Sequence, residues 1–381
     1  MKKIIRVTTV PISLGGLLKG QLRFMTDHME VIGISSNGDG KLEEVSKEEG
    51  IRVLPVEMTR QITPFKDIKA VYQLYQIFRD EKPDIVHSHT PKAGTLSMIA
   101  ARLANVPHRL HTIAGLPLLE ATGLKRTLLD AVESVTYTCA TKIYPNSYGL
   151  KEIILQNKYT TAKKLKVIAN GSSNGIDTSY FDPRLYSEKD KALLRNKLNI
   201  NSKDLVFIFV GRLVTDKGVN ELIKAFKKLN EQHDSIKLIL VGPFERDLDP
   251  LLEETENEIS MNPNIISLGW QNDVRPFFAI ANVLAFPSYR EGFPNVVMQA
   301  SAMGVTSIVT NINGCNEIIS NKENGLIIPV KDSDSLYKAM QKLILDKNLI
   351  DTLASNSRPR IEKLYERKTV WKALLDEYNS L

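Results

Sequence analysis

Short apolar runs alternate with segments of helical period along the first part of the chain. The apolar runs have the length of β-strands, and the segments between them repeat apolar residues at roughly one-turn intervals. The strand-like runs are residues 4–10, 31–35, 51–55, 84–88, 109–113 and 143–145. Strands that alternate with helices are typical of βαβ units, so the pattern predicts a doubly wound parallel sheet.

The same pattern restarts after a polar segment at residues 172–190. Strand-like runs follow at residues 205–210, 236–241, 265–268, 283–286 and 307–309. We therefore predict an α/β protein with two doubly wound, Rossmann-like domains at residues 1–180 and 181–362, followed by a C-terminal helix at 363–381. Ligands bind beyond the carboxyl ends of the strands in such sheets, so we expect the two domains to face each other across a ligand-binding cleft.

The composition is that of an ordinary globular protein with room for two domains. The chain has 381 residues, of which 43% are hydrophobic and 25% are charged. Its two cysteines, Cys139 and Cys315, are far apart, which excludes a disulfide framework and a cysteine-rich zinc site. Arg6 interrupts the first apolar run, which favours a strand over a signal peptide. No apolar run approaches the ~18 residues of a membrane span, so we expect a soluble, cytoplasmic protein.

The net charge of +6 is too small for a nucleic-acid-binding protein of this length, but it is unevenly distributed. Residues 1–170 contain 24 Lys and Arg against 16 Asp and Glu, a net charge of +8, whereas the remainder has a net charge of −2. The excess is explained either by solvated helix faces or by a surface that contacts an anionic membrane. The candidate contributors are Lys125, Arg126, Lys158, Lys163, Lys164 and Lys166.

Residues 289–300, YREGFPNVVMQA, follow directly after a predicted strand. Pro294 suits the first position of a helix, which would leave the N–H groups of Asn295 and Val296 unpaired at the ligand-binding end of the sheet. Such amides bind phosphate, whereas the Glu291 carboxylate would accept hydrogen bonds from sugar hydroxyls. The alternative is a simple strand-to-helix turn with a solvated glutamate.

Residues 211–218, GRLVTDKG, also follow a predicted strand and precede an amphipathic helix. Gly211 allows close backbone approach, and Arg212 and Lys217 bring two cations to one end of the sheet, as a diphosphate requires. These cations would stabilise the negative charge that develops on a departing diphosphate. The spacing matches neither a P-loop nor a dinucleotide-binding motif. The alternative is a basic helix N-terminus.

With these two segments the chain resembles the family-four retaining glycosyltransferases, which have the GT-B fold, and in particular the transferases of bacterial capsular and surface polysaccharides. The resemblance extends over essentially the full length and includes Gly15-Gly16, residues 83–90 (PDIVHSHT) and residues 174–177 (NGID). It implies that Arg212 and Lys217 bind the diphosphate, that Glu291 contacts the transferred sugar and that the last helix returns to the first domain, anchored by Trp371. The implied donor-binding residues are Gly15, Gly16, Gly211, Trp270, Phe293, Pro294, Asn295, Val296 and Gln299.

The sequence departs from the family pattern at two positions. Gln299 stands where relatives have a second glutamate that binds the ribose, and an amide cannot accept from both ribose hydroxyls as a carboxylate can. Relatives often have a His-Gly pair near the reacting sugar, where this chain has Ala114-Gly115. His111 either substitutes for that histidine as a catalytic residue or simply ends a strand. His89 is either an acceptor-side group or, like His87, a structural histidine.

The resemblance implies transfer of a sugar from a nucleotide diphosphate sugar, with UDP the expected nucleotide, to an acceptor hydroxyl with retention. The expected acceptor is a lipid-linked saccharide bound by the first domain at the inner face of the membrane. Asp247-Leu248-Asp249 resembles a metal-binding motif, but we interpret it as the acidic start of a helix, so we expect no metal or other cofactor. Two alternatives remain open: a UDP-sugar 2-epimerase, and a non-catalytic sugar-nucleotide binding protein.

Overall fold

The chain folds into two units, each built around its own parallel sheet. In the computed structural model the described residues are 1–59, 61, 63–116, 118, 121–247 and 249–381. Unit 1 contains Met1–Gly175 and Arg367–Leu381, and unit 2 contains Ile176–Glu366. Each unit has a hydrophobic core formed by its strands and the helices that cover them.

The sheet of unit 1 has six parallel strands in the order β3-β2-β1-β4-β5-β6. The strands are β1 (Lys3–Val7), β2 (Glu30–Ser35), β3 (Arg52–Pro55), β4 (Ile85–His89), β5 (His108–Ile113) and β6 (Lys142–Pro145). Helices cover both faces of this sheet, which explains why its strands are apolar runs rather than alternating sequences. The predicted doubly wound sheet is therefore confirmed.

The helices between these strands include three that begin with proline, at Pro11, Pro64 and Pro91. The helices are α1 (Pro11–Leu17), α2 (Gln21–Thr26), α3 (Lys41–Glu49), α4 (Pro64–Glu81), α5 (Pro91–Leu103), α6 (Gly123–Cys139) and α7 (Tyr148–Gln156). Proline is suited to this position because the first helical N–H has no intrahelical partner. Gly20 has a φ of 76° and separates α1 from α2.

The sheet of unit 2 has the same arrangement, in the order β12-β11-β10-β7-β8-β9. Its strands are β7 (Leu205–Val210), β8 (Ile236–Val241), β9 (Ile265–Ser267), β10 (Val283–Phe286), β11 (Thr306–Thr310) and β12 (Gly325–Ile328). Its helices are α8 (Glu188–Lys197), α9 (Val219–Asn230), α10 (Glu253–Met261), α11 (Arg275–Ile280), α12 (Asn295–Ala302), α13 (Cys315–Ile318), α14 (Ser333–Leu345) and α15 (Lys347–Leu364).

The last helix, α16 (Arg367–Asn379), packs within unit 1. The Trp371 Nε1 donates to Asn174 Oδ1 at 2.6 Å, and Lys2 Nζ donates to the carbonyl oxygen of Tyr378 at 2.9 Å. Both aromatic side chains are buried. Among the residues that the structure describes, no helix is both long and apolar enough to cross a membrane.

Each sheet has one pair of neighbouring strands from which the connections leave in opposite directions, here called the switch point. In unit 1 it lies between β1 and β4, and in unit 2 between β7 and β10. Sheets of this kind bind ligands just beyond the carboxyl ends of that pair. The loops that follow these four strands are therefore where ligand-binding residues are expected.

Candidate active site

The two motifs of unit 2 meet at its switch point. Strands β7 and β10 pair directly, with Phe207 opposite Val283 and Ile208 opposite Leu284. Gly218 is the N-cap of α9 and has a φ of 70°, and a Cβ atom there would lie 2.1 Å from the Pro287 carbonyl oxygen. Only glycine permits this approach, which brings the loop after β7 against the loop after β10.

Lys217 and Glu291 form an ion pair at this point. The Lys217 Nζ donates to Glu291 Oε1 at 2.5 Å, and each side chain is 16% exposed. Ser288 Oγ donates to the same carboxylate oxygen at 3.0 Å, and Asn313 Nδ2 donates to the Glu291 carbonyl. The sequence predicted both residues as ligand-binding groups, and the structure brings them into contact. The sequence did not predict that these two side chains would pair with each other.

Arg212 lies in the same loop and has its own partner. Its Nη1 donates to Glu245 Oε2 at 2.7 Å, and this carboxylate raises the pKa of the guanidinium despite its partial burial. The Arg212 side chain remains 44% exposed. The sequence analysis missed Glu245, which follows β8, although its position after a strand of this sheet was a usable signal.

Asp247 and Asp249 do not lie at the start of a helix, because α10 begins at Glu253 with Leu252 as its N-cap. The helix-dipole interpretation was therefore wrong. Asp249 Oδ2 instead accepts from the backbone N–H of Asp216 at 2.7 Å, which fixes the loop that carries Lys217. Leu248 lies outside the described residues. Among the described residues, no group of three or more His, Cys, Asp or Glu side chains could hold a metal ion.

Helix α12 begins one residue later than predicted, since Pro294 is its N-cap and Asn295 its first residue. The Val297 N–H bonds to the Pro294 carbonyl. The N–H groups of Asn295 and Val296 have no hydrogen-bond partner among the described residues, as expected of the first turn of a helix. Gly314, which the sequence analysis missed, packs against this turn: a Cβ atom there would lie 2.6 Å from the Gly292 carbonyl oxygen.

The other predicted donor-binding residues of unit 2 have more varied surroundings. Phe293 is buried and its ring lies 5.3 Å from that of Tyr365, so it packs in the core. Gln299 is half-buried on α12, one turn after Asn295. Trp270 is 70% exposed, and its Nε1 donates to Asn272 Oδ1.

The predicted residues of unit 1 lie mostly inside the fold. Gly15 is on α1, where a Cβ atom would lie 2.8 Å from Val45 Cγ2, so it serves helix packing, whereas Gly16 has open space around it. His111 is buried on β5, and a Cβ atom on Gly94 would lie 2.3 Å from its ring. Burial lowers the pKa of His111 to about 4. This position favours the strand-end alternative over direct catalysis.

The six basic residues proposed for a membrane surface divide into two groups. Arg126 pairs with Asp130, Lys166 pairs with Glu377, and Lys164 donates to carbonyl groups at the end of α6. Lys125, Lys158 and Lys163 are exposed, and Lys166 is exposed as well although it is paired. Half of the proposed cations are thus engaged within unit 1.

Unit 1 also exposes apolar side chains that the sequence analysis missed. On α4, Phe65, Ile68 and Tyr72 recur on one face and are exposed, Phe65 to 90%. On α6, Leu124 and Leu128 are exposed one turn apart, Leu124 to 90%. Both helices contact α5, and each follows a strand, so their first turns lie at the carboxyl edge of the sheet. We call these five residues the apolar face; their spacing was a usable signal.

Comparison with known families gives two matches that together span most of the chain. Residues 190–360 match the glycosyl transferases group 1 family, and residues 18–147 match the glycosyl transferase 4-like family. These two segments lie largely in unit 2 and unit 1, respectively.

Individual relatives are also similar. The capsular polysaccharide biosynthesis glycosyltransferase CapM of Staphylococcus aureus is 34% identical over 100% of this chain and 97% of its own length. An Escherichia coli enzyme named UDP-Gal:alpha-D-GlcNAc-diphosphoundecaprenol alpha-1,3-galactosyltransferase is 32% identical over 80% of this chain and 77% of its own. The crystal structure of HepE from Anabaena in complex with UDP has a TM-score of 0.82 at 19% identity, over 100% of both chains, which shows the shared fold.

Proposed function

The chain belongs to the group 1 glycosyltransferases, and we propose that it transfers a sugar from a UDP-sugar to a hydroxyl of a lipid-linked saccharide, with retention and without a metal ion. The observation that carries this proposal is the convergence of Lys217, Glu291 and the first turn of α12 at the switch point of unit 2. This combination offers a cation, a hydroxyl-binding carboxylate and unpaired amides at one edge of one sheet.

On the donor side, Arg212 and Lys217 would bind the diphosphate and Glu291 the hydroxyls of the transferred sugar. When a phosphate binds, Lys217 can donate to it while keeping one hydrogen bond to Glu291, because an ammonium has three donors. As the glycosidic bond breaks, negative charge grows on the departing diphosphate, and both cations then bind it more strongly than in the ground state. These groups would supply the charge stabilisation that a divalent metal supplies elsewhere.

Three similar proteins support UDP as the nucleotide and a lipid-linked acceptor. The E. coli relative is named for UDP-Gal and for a diphosphoundecaprenol-linked acceptor, and the HepE structure contains UDP. A Campylobacter jejuni relative, 28% identical over 81% of this chain and 80% of its own, is also named for a diphospho-undecaprenol acceptor. We propose the same classes of donor and acceptor for this chain.

The apolar face supports a peripheral contact of unit 1 with the membrane that would contain such an acceptor. Exposed aromatic and aliphatic side chains beside basic residues are typical of surfaces that lie in the membrane interface. Lys66 and Lys69 on α4 and Lys125 on α6 are exposed next to the apolar face. Because this face adjoins the carboxyl edge of the sheet, a lipid-linked saccharide would be presented where unit 1 binds ligands.

The proposal is tested with purified protein, a set of UDP- and GDP-sugars and a diphosphoundecaprenol-linked saccharide in excess chelator. We expect one or more UDP-sugars to raise the thermal midpoint and to support transfer, with the anomeric configuration of the donor preserved in the product, as read by NMR. Exclusive use of GDP-sugars, an inverted product or a loss of transfer that only added metal restores would each contradict the corresponding part of the proposal.

A further inference from the structure

A group of polar side chains is buried at the switch point of unit 1. None of these side chains belongs to the donor site proposed for unit 2. Arg6 of β1 lies opposite His87 of β4, and His89 follows two residues later on the same face of the sheet. Arg6 is completely buried, and both histidines are buried. Burying so many polar groups is costly unless each is hydrogen-bonded, so their partners indicate what they do.

His87 has a partner on each ring nitrogen. Its Nδ1 lies 2.5 Å from the Tyr378 hydroxyl, and its Nε2 lies 2.7 Å from Thr112 Oγ1. A histidine with both nitrogens engaged by neighbouring side chains has no group left for a ligand. His87 is therefore structural and ties α16 to the sheet.

His89 differs from His87 because only one of its nitrogens is engaged. The Arg6 Nη2 lies 2.8 Å from His89 Nε2 and 2.7 Å from Gln21 Oε1. A guanidinium can only donate, so Nε2 must carry a lone pair and the ring proton must sit on Nδ1. Burial and the positive charge of Arg6 lower the pKa of His89 well below its usual value, which keeps the ring neutral. The Nδ1–H has no hydrogen-bond partner among the described residues.

Among the described residues, every neighbour that acts on the pKa of His89 lowers it and so opposes protonation. The titratable side chains near it are Arg6 of β1, His87 of its own strand, Tyr144 of β6, Tyr378 of α16 and His111 on the opposite face of the sheet. None of these is a carboxylate. His89 is thus held as a neutral hydrogen-bond donor.

A narrow cavity lies beside His89 at the carboxyl edge of the sheet. It is lined by His89, Thr112, Asn146, Ser172 and Ser173, among others, and leaves about 20 Å³ for a water-sized group. Asn146 Oδ1 is buried without a hydrogen-bond partner among the described residues, and so are the Arg6 Nε and Nη1 atoms. The cavity therefore offers a hydrogen-bond donor on His89 and an unpaired amide oxygen on Asn146.

The backbone directly after His89 has an unusual conformation. Thr90 has a φ of 73°, which is rare for a β-branched residue, and it is held there by Thr9, whose N–H and hydroxyl both contact Thr90 Oγ1. Residues kept in such conformations are concentrated at functional sites.

Resting on the function proposed above, we infer that His89 and Asn146 form a subsite for one hydroxyl of the acceptor saccharide, and that Arg6 positions His89 as its donor. A hydroxyl both accepts and donates, so it can accept from His89 Nδ1–H and donate to Asn146 Oδ1. A phosphate oxygen would be repelled by an amide oxygen and fits this pair less well. The subsite selects acceptors that carry a hydroxyl at the corresponding position.

The kinetic test compares His89→Leu, which removes the donor, with His89→Asn, whose amide nitrogen can stand near Nδ1. We expect His89→Leu to lower kcat/KM for the acceptor about tenfold, to leave the KM for the UDP-sugar unchanged, and His89→Asn to recover most of the loss. His28→Leu, at an exposed histidine of unit 1, serves as the control. Unchanged acceptor kinetics in His89→Leu, or an equal loss in His89→Asn, would overturn the inference and leave the proposed function standing.

The positioning role of Arg6 is tested without any acceptor. In protein labelled with ¹⁵N-histidine, the signals missing from His89→Asn identify His89, and we expect an unprotonated Nε2 and a protonated Nδ1 throughout pH 5.5–7.5. A protonated Nε2 or an imidazolium ring in that range would overturn the assignment. In Arg6→Met the preference for this tautomer should weaken; should that variant not fold, the wild-type spectrum alone decides. Absence of transfer by the wild type, by contrast, would overturn the proposed function together with the subsite.

Discussion

The two units share one strand order but hold opposite kinds of polar groups at their switch points. In unit 2, Lys217 pairs with Glu291 and Arg212 with Glu245, and all four side chains remain partly exposed. In unit 1, Arg6 and His89 are buried, and no carboxylate pairs with Arg6 among the described residues. Partly exposed ion pairs can exchange partners with a charged ligand at little cost, whereas the neutral imidazole of His89, held in place by Arg6, suits an uncharged hydroxyl. One architecture can thus serve a charged donor in one unit and a neutral acceptor group in the other.

Removing the cations of unit 2 should impair transfer more than any other change. We expect Lys217→Ala and Arg212→Ala each to lower kcat by on the order of 10²-fold or more, because each removes a group that stabilises charge on the departing diphosphate. Steady-state transfer assays measure the effect, with thermal unfolding to verify the fold. Lys224→Ala, at an exposed lysine on α9, is the matched control. Wild-type turnover in a folded Lys217 variant would refute its role.

The buried histidines of unit 1 should make its stability depend on pH. The pKa of His111 is about 4, below the ordinary value of 6.5. Above pH 6.5 the ring is neutral in both states; as the pH falls towards 4, the unfolded chain binds a proton that the folded chain cannot, so stability is lost in that window. The loss attributable to His111 is about 3 kcal/mol.

Thermal or urea unfolding at pH 4.5, 5.5 and 6.5 measures this dependence. His111→Asn should flatten the curve across that window, even where the substitution lowers stability at every pH. His28→Asn, at an exposed position, should leave the slope unchanged. A curve of the same slope in His111→Asn and the wild type would contradict a neutral, buried His111.

The apolar face of unit 1 should contribute to membrane binding. We expect the double variant Phe65→Ser, Leu124→Ser to bind anionic vesicles about tenfold more weakly, because two exposed apolar side chains no longer enter the interface. Vesicle sedimentation measures the partition coefficient. Met261→Ser removes a side chain of unit 2 that is 82% exposed and should have no effect. Equal binding by the double variant would exclude this face as the membrane contact.

Substitution of Gln299 in unit 2 should change donor binding only slightly. Gln299→Glu provides a carboxylate that can accept from both ribose hydroxyls, so we expect the KM for the UDP-sugar to fall a few-fold with little change in kcat. Donor titrations at saturating acceptor measure it. A higher KM in this variant would show that Gln299 does not face the ribose.

The fold and the donor-side motif were predictable from sequence because they depend on local pattern. Apolar runs located the strands, and residues directly after neighbouring parallel strands must meet at one edge of the sheet. This rule placed Arg212, Lys217 and Glu291 correctly in the loops that converge at the switch point. The predicted start of α12 was one residue too early, because the sequence alone does not distinguish a proline at the N-cap from a proline at the first helical position.

The buried polar groups of unit 1 were not predictable in the same way. In the sequence, Arg6 only interrupts an apolar run; its contact with His89 depends on the pairing of β1 with β4, whose residues are about 80 positions apart in the chain. The same holds for Gln21, which lies on α2 and accepts a hydrogen bond from Arg6. Which histidine nitrogen is engaged is decided by these long-range contacts and by no local motif.

Calorimetry of UDP binding in excess chelator determines whether the cations of unit 2 bind a nucleotide diphosphate without a metal. We predict that UDP binds the wild-type protein on the order of 10²-fold more tightly than the Arg212→Ala, Lys217→Ala double variant, while uridine binds both with equal affinity. Equal affinity of UDP for the two proteins, or binding of UDP to the wild type only after metal is added, would contradict the account.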